Sequence, residues 1–317
     1  MWLGIGRPVK YGTDPTKLHT YFAYSSEAYE ETYHQIAAIH KSNFSRLHTF
    51  ISVIGSFGSP LSILSELELA PDGAIVFFDL NPKAHLYANI TMKLINISRH
   101  PQDFLSLFYA RDLVTFEQEH GRLSIYNQRL FLNSPIQPHW QSKVLAALSN
   151  EEAALWRSID ELYDLSADSS VCKCCLWPVF DSQAQYIQQF VTGALKTADI
   201  CSEQWNKLTP HDGFLNYGLG HLSGASAFLS VKEKLNKVRL FQGRLEDVIE
   251  EFGPCTLPPG AKTVLFTMDM FFDGKFNEWD ALKAKGLCNQ PLIVVNSAAE
   301  RAASLCFHYG DDWVRSK

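Results

Sequence analysis

A strand that runs straight into a glycine turn limits the folds open to this chain more than any other feature. Thr49 to Ile54 is an apolar, β-branched run of strand length, and it breaks at once into Gly55-Ser56-Phe57-Gly58-Ser59-Pro60. Pro60 suits the first turn of a helix, which the pattern carries to Leu69. Pro71-Asp72-Gly73 then turns the chain into a second apolar run, Ala74 to Phe78, that closes on Asp79. Strand, helix and strand in this order make one unit of a parallel sheet, and the same alternation further on predicts an α/β fold with a doubly wound, mostly parallel, Rossmann-like sheet.

Such a unit makes a nucleotide site. Gly55 and Gly58 let backbone N–H groups approach a ligand, and a carboxylate ending the next strand can accept both ribose hydroxyls. Asp79 is that carboxylate, 24 residues after Gly55, near the ~20 of the dinucleotide fingerprint. Phe57 stands where that fingerprint needs its second glycine, so a pyrophosphate is expected to lose its closest approach. A ligand with ribose but no phosphate fits better, and S-adenosylmethionine is the common one.

The stretch from Val53 to about Asp112 resembles the S-adenosylmethionine:diacylglycerol 3-amino-3-carboxypropyltransferases of betaine-lipid synthesis. In that family a G-S-x-G turn is followed by D-L-N-P and a helix containing K-L. Here these are Gly55-Ser56-Phe57-Gly58, Asp79-Leu80-Asn81-Pro82 and Lys93-Leu94. The likeness resumes from Leu235 to Ala298, with Val238 to Asp247 as strand and turn and a later strand ending in Met268-Asp269-Met270, whereas residues 113–230 show little match. The resemblance implies a class I methyltransferase-type sheet and S-adenosylmethionine as co-substrate. With the strand-end rule it marks Gly55, Ser56, Phe57, Gly58, Ser59, Asp79, Leu80, Asn81, Arg244, Leu245, Glu246, Met268 and Asp269 as cofactor-binding. Arg244 sits where an adenine-binding aspartate is usual, so that contact falls to the backbone of Arg244-Leu245 or to Glu246.

Around this unit the expected organisation is an N-terminal helical lid at 1–48 and a sheet domain at 49–317, interrupted at 113–230 by a mainly helical insertion on the acceptor side. In the lid, Ser25 to Leu47 reads as a capped helix. Tyr24 to Glu31 looks like the aromatic and acidic segment that precedes the first strand in the resembled family, and tyrosines there would contact a sulfonium or pack a helix. In the insertion, Leu123 to Leu132 reads as a strand, and Glu151 to Leu165 and Ser182 to Leu195 as helices. His221, in the glycine-rich stretch Asp212 to His221, is a candidate general base, and the alternative is a structural histidine. Lys237 to Phe241, Thr263 to Asp269, Pro291 to Val295 and Ser304 to Val314 read as further strands; Gly243 to Asp247 reads as a turn with a helix from Val248, and Lys275 to Lys285 as another helix.

Charge and cysteine usage narrow the partners. A net charge of −6 without a basic cluster argues against nucleic acid. No apolar run reaches the ~20 residues of a membrane span, and the opening residues lack signal-peptide order, so a cytoplasmic protein is expected. Seven irregularly spaced cysteines fit reduced thiols, and the Cys172, Cys174, Cys175 cluster lacks the paired spacing of a zinc site, so no metal is expected.

A sulfonium carries its own leaving group, so catalysis is mainly positioning. Attack on the methyl carbon gives a methyltransferase; attack on the γ-carbon moves the 3-amino-3-carboxypropyl group and releases methylthioadenosine. The resemblance favours the second. The acidic chain does not advertise a lipid surface, which points to a small soluble acceptor or to closure of the cofactor's own α-amine into azetidine-2-carboxylate. Polar groups such as Tyr24, Asn133 or Asn216 would hold the amino-acid tail, and Asp269 would orient or deprotonate the nucleophile. A non-catalytic S-adenosylmethionine-binding protein is the remaining alternative.

Overall fold

The computed structural model describes residues 46–54, 57–123, 130–131, 134–163, 224–253, 261–268, 292–297, 305–309 and 312–315. The apolar runs around the glycine turn become β1 (Leu47–Val53) and β2 (Leu69–Asp79), and they pair in parallel, Phe50 opposite Ile75 and Val53 opposite Phe78. With β3 (Val238–Gln242), β4 (Thr263–Met268), β5 (Leu292–Ser297), β6 (Leu305–Tyr309) and β7 (Asp312–Arg315) they form one sheet in the order β3-β2-β1-β4-β5-β6-β7. The first five run parallel, β6 pairs antiparallel with β5, and β7 pairs antiparallel with β6.

Eight α-helices have both ends among the described residues: α1 (Gly58–Glu66), α2 (Pro82–Ile97), α3 (Pro101–Tyr109), α4 (Leu113–His120), α5 (Pro138–Ala147), α6 (Asn150–Tyr163), α7 (Ala225–Lys234) and α8 (Leu245–Phe252). Strand side chains alternate between faces, and here both faces are covered. Phe50, Ile75 and Phe77 join a core with Leu61 and Leu64 of α1 and Tyr87 of α2. Ile51, Val76, Phe78 and Leu265 join a second core with Leu245, Val248 and Ile249 of α8. Burial on both sides is why β1 and β2 read as continuous apolar runs and not as alternating ones.

Proline starts fix α2 and α3. Pro82 and Pro101 occupy first-turn positions, where a missing N–H costs nothing, and Asn81 and His100 cap the helices through their side chains. α4 and α5 pack beside α3, and α6 packs on α2. Trp156 of α6 is fully buried and donates its indole N–H to the Phe108 carbonyl at 3.0 Å. Glu152 Oε2 accepts from Lys93 Nζ of α2 at 2.6 Å and from the Ser149 N–H at 2.7 Å, and Ser149 Oγ accepts from the Glu152 N–H at 3.2 Å. Ser149-Asn150-Glu151-Glu152 is thus a capping box whose glutamate also ties α6 to α2.

Several expectations need correction. α1 begins at Gly58 and ends at Glu66, earlier than Pro60 to Leu69, because Phe57 already turns the chain into the helix. Pro71-Asp72-Gly73 is no turn: β2 passes through it, and the register slips from Leu47 opposite Leu69 to Thr49 opposite Ala74. The extra residues form a bulge whose Ala70 and Pro71 carbonyls accept from Lys237 Nζ at 3.0 and 2.8 Å. Gly73 permits it, since a Cβ there would lie 3.0 Å from the Ala70 and Leu47 carbonyl oxygens. Leu47 and His48, assigned to the lid, belong to β1. Leu130 and Phe131, assigned to a strand, are helical, and the Phe131 ring is buried against Tyr109 and Phe116. The helix expected from Val248 starts at Leu245. Ser304 to Val314 is two strands, with Tyr309 opposite Asp312. The lid helix before residue 46, the Ser182 to Leu195 and Lys275 to Lys285 helices and the Cys172, Cys174, Cys175 cluster lie outside the described residues.

Candidate functional site at the carboxyl ends of the strands

The strand order reverses at β1. From β1 the chain steps outward to β2 and β3 on one side, and β4 and β5 lie on the other. Ligands of open parallel sheets bind beyond the strand ends at such a break, because the loops there diverge and leave a crevice. The described residues at these ends are Ile54, Phe57 and Gly58 after β1, Asp79 to Asn81 at β2, Gln242 to Arg244 at β3, and Met268, the last residue of β4.

The turn after β1 is built by two backbone bonds. Ile54 donates to the Phe78 carbonyl at 2.8 Å, which ties the strand end to β2, and Phe57 donates to the Ile54 carbonyl at 2.7 Å. Phe57 has φ 58° and ψ −30°, a conformation that glycine adopts readily and a bulky residue rarely does. Its ring is fully buried, edge-on to Phe77 with centroids 5.0 Å apart. Phe57 has a positive φ and sends its side chain into the core, so its ring does not itself stand between the turn and a ligand.

Asp79 is half-buried and held at three points. Its Oδ1 accepts the Asn81 N–H at 2.9 Å, and its carbonyl accepts the Gly243 N–H at 3.2 Å and the His85 ring Nε2 at 2.8 Å. Because a carbonyl only accepts, Nε2 carries the hydrogen. A Cβ on Gly243 would lie 2.3 Å from the Phe241 ring, so glycine here lets that ring lie against the strand end. Asn81 is buried, and its side chain accepts the Lys83 N–H at 3.0 Å. Burial lowers the Lys83 ammonium below its ordinary value. Leu80 is half-buried between these residues.

At β3, Arg244 is exposed and its N–H donates to Asp247 Oδ2 at 3.1 Å. The Leu245 side chain belongs to the core under α8, and Glu246 lies half-buried in the first turn of that helix. Gly58 and Ser59 begin α1, and Met268 pairs with Asn296 of β5. Gly55, Ser56, Tyr24, His221 and Asp269 lie outside the described residues. Sequence reasoning missed His85. The signal was present: side chains on a helix lean toward its N-terminus, so a polar residue in the first turn after D-L-N-P lies over the end of β2.

A polar groove at the opposite, amino end of the sheet is lined by Arg46, Glu66, Glu68, Ser230 and Lys234 among others. Lys234 is engaged there, donating to the Leu64 carbonyl at 2.8 Å, the Ser65 carbonyl at 3.4 Å and Ser230 Oγ at 2.7 Å. These bonds complete the C-terminus of α1, so the lysine has a structural task. Among the described residues no three His, Cys, Asp or Glu side chains converge on a metal site, and no helix is long and apolar enough to cross a membrane.

No protein-family model matches the chain, and no curated protein matches it. The family resemblance therefore rests on the motifs quoted above.

Proposed function

We propose that the chain binds S-adenosylmethionine at the carboxyl ends of β1, β2 and β4 and transfers its 3-amino-3-carboxypropyl group, releasing methylthioadenosine. The observation that carries the reading is Asp79, anchored at the end of β2 beside the turn after β1, on the side of the sheet where the strand order breaks. A carboxylate there suits a ribose diol, and the Phe57 ring is buried in the core and so does not itself block a ligand at the turn. Five parallel strands extended by an antiparallel pair also suit the class I methyltransferase-type fold that the resemblance implies.

When bound, the cofactor supplies a sulfonium whose thioether leaves as a neutral group. The chain's own part is placement: Asp79 holds the ribose, the residues from Gly243 to Glu246 border the adenine, and Asp269, the residue after β4, orients the nucleophile or takes its proton. Tyr24 and His221 stay assigned to the tail and to proton transfer. The acceptor is a small soluble nucleophile or the cofactor's own α-amine.

The test is incubation with labelled S-adenosylmethionine and chromatography of the products, alongside calorimetry. Methylthioadenosine supports the reading. Adenosylhomocysteine makes the chain a methyltransferase, and binding without either product makes it a non-catalytic binder. Asp79→Ala removes two charge-assisted hydrogen bonds of ~1.5–3 kcal/mol each, so affinity falls at least ~10-fold. Titration with NAD belongs in the same series, because the Phe57 geometry removes the steric argument against a pyrophosphate; tighter binding of NAD would replace this reading with a dinucleotide site.

A further inference from the structure

We infer that His85 is the positioning residue for ribose recognition: its ring fixes the backbone of Asp79 and thereby aims the carboxylate. The inference rests on the reading of Asp79 given above and extends it to a residue that no motif marks. Asp79 is where β2 ends and the chain bends into α2, and its carboxylate can serve a diol only if that bend has one conformation. The bend is held from both sides. From β3, the Gly243 N–H reaches the Asp79 carbonyl at 3.2 Å, and Asp79 pairs with Gln242 in the parallel ladder. From α2, the His85 Nε2–H reaches the same oxygen at 2.8 Å, the shorter of the two bonds.

The helix is itself fixed to the bend. The Ala84 N–H donates to the Asn81 carbonyl at 3.0 Å, and the Lys83 N–H to Asn81 Oδ1 at 3.0 Å. His85 thus joins a rigid first turn to the residue whose carboxylate matters, and its hydrogen bond spans six positions in sequence. Its ring uses Nε2 on a backbone carbonyl, so the residue acts on the ligand through Asp79 and is not itself a catalytic group. Without that bond the Asp79 carbonyl loses its side-chain tie to α2 while the Gly243 bond and the Asn81 N–H on Oδ1 remain, so the bend is held less firmly from the helix side and the carboxylate spreads over orientations that do not meet both hydroxyls. A loss of this kind affects the ribose hydroxyls and spares the adenine.

The experiment uses the full chain and two probes, adenosine and 2′,3′-dideoxyadenosine, each titrated in competition with S-adenosylmethionine. Wild type should prefer adenosine at least tenfold. His85→Ala and the ring-preserving His85→Phe should each reduce that preference at least threefold while leaving the dideoxy compound's affinity within twofold. His85→Gln, whose amide N–H can reach the same carbonyl, should restore it. A preference unchanged in both His85→Ala and His85→Phe, or an equal weakening of both probes, overturns the inference while leaving the ribose role of Asp79 standing. If wild type shows no preference, the Asp79 reading fails and the inference falls with it.

Discussion

Phe57 offers a test in which the usual ranking of two small residues should reverse. Truncating a fully buried phenylalanine costs ~3–5 kcal/mol through lost burial and the cavity left behind. Phe57→Ala should lie in that range, because the ring is fully buried against Phe77 at a centroid distance of 5.0 Å. Alanine keeps a Cβ, and at φ 58° a Cβ carries a steric cost of ~1–2 kcal/mol. Phe57→Gly loses the same ring and also sheds that cost. At an ordinary position glycine is the weaker residue by ~0.5–1 kcal/mol because it loses more backbone entropy on folding. Here relief of the left-handed strain should outweigh that entropy, leaving Phe57→Gly more stable than Phe57→Ala by ~1 kcal/mol. Urea unfolding of both variants, followed by circular dichroism with matched slopes, reads the difference directly. Equal stabilities, or alanine above glycine, would refute the positive φ and with it the glycine-like shape assigned to the turn.

Lys234 should give a pH signature, because burial pushes its ammonium down to about 8 from an ordinary 10.5. Between those values the unfolded chain holds a proton that the folded chain releases, so wild-type stability should rise relative to Lys234→Met from pH 8 to pH 10.5; a flat difference in urea midpoints would show that the charge is not penalised. For Glu152, burial alone would raise the carboxyl, but the hydrogen bonds from Lys93 and Ser149 outweigh it and hold the group below its ordinary 4.5. The advantage of wild type over Glu152→Gln should therefore be complete above that pH and shrink as pH falls through the lowered value, read as converging thermal midpoints. Gly73→Ala should destabilise by ~1–3 kcal/mol, since its Cβ would press on two carbonyl oxygens at 3.0 Å; an unchanged denaturant midpoint would mean that the bulge relaxes freely.

How much could be read from residues alone depended on whether the signal was local. β1 and the strand-helix-strand order around the glycine turn were legible because apolar runs and a proline start report on their own neighbourhood. The bulge in β2 was not, because Pro71-Asp72-Gly73 carries turn chemistry and its resolution depends on Lys237, 166 positions from Pro71. The split of the last strand was hidden for a related reason: Leu305–Tyr309 and Asp312–Arg315 pair with each other although the run of letters reads as one strand. At the site, Asp79 stood out by its place at the end of an apolar run, but the orientation of Phe57 and the reach of His85 are side-chain directions. Those follow from packing against Phe77 and from the angle of α2, neither of which is a property of neighbouring letters.

The two parts of the proposed adenosine site are joined through the core as well as through the ligand. Phe57 leaves the turn after β1 and packs on Phe77, two residues before Asp79, while Ile54 at the base of the turn donates to Phe78, one residue before it. A shift of the turn is therefore felt at the carboxylate through one ring contact and one backbone bond. The carboxylate is in turn steadied from α2 by His85 and from β3 by Gly243. Close packing transmits strain because the interior has few voids to absorb it. An adenosine moiety held at this end would thus meet a preorganised surface, and little binding energy would go into ordering it. On the proposed reading, the remaining affinity for the tail would be left for exposing the γ-carbon, which is what aminocarboxypropyl transfer would demand where the substrate already carries its leaving group.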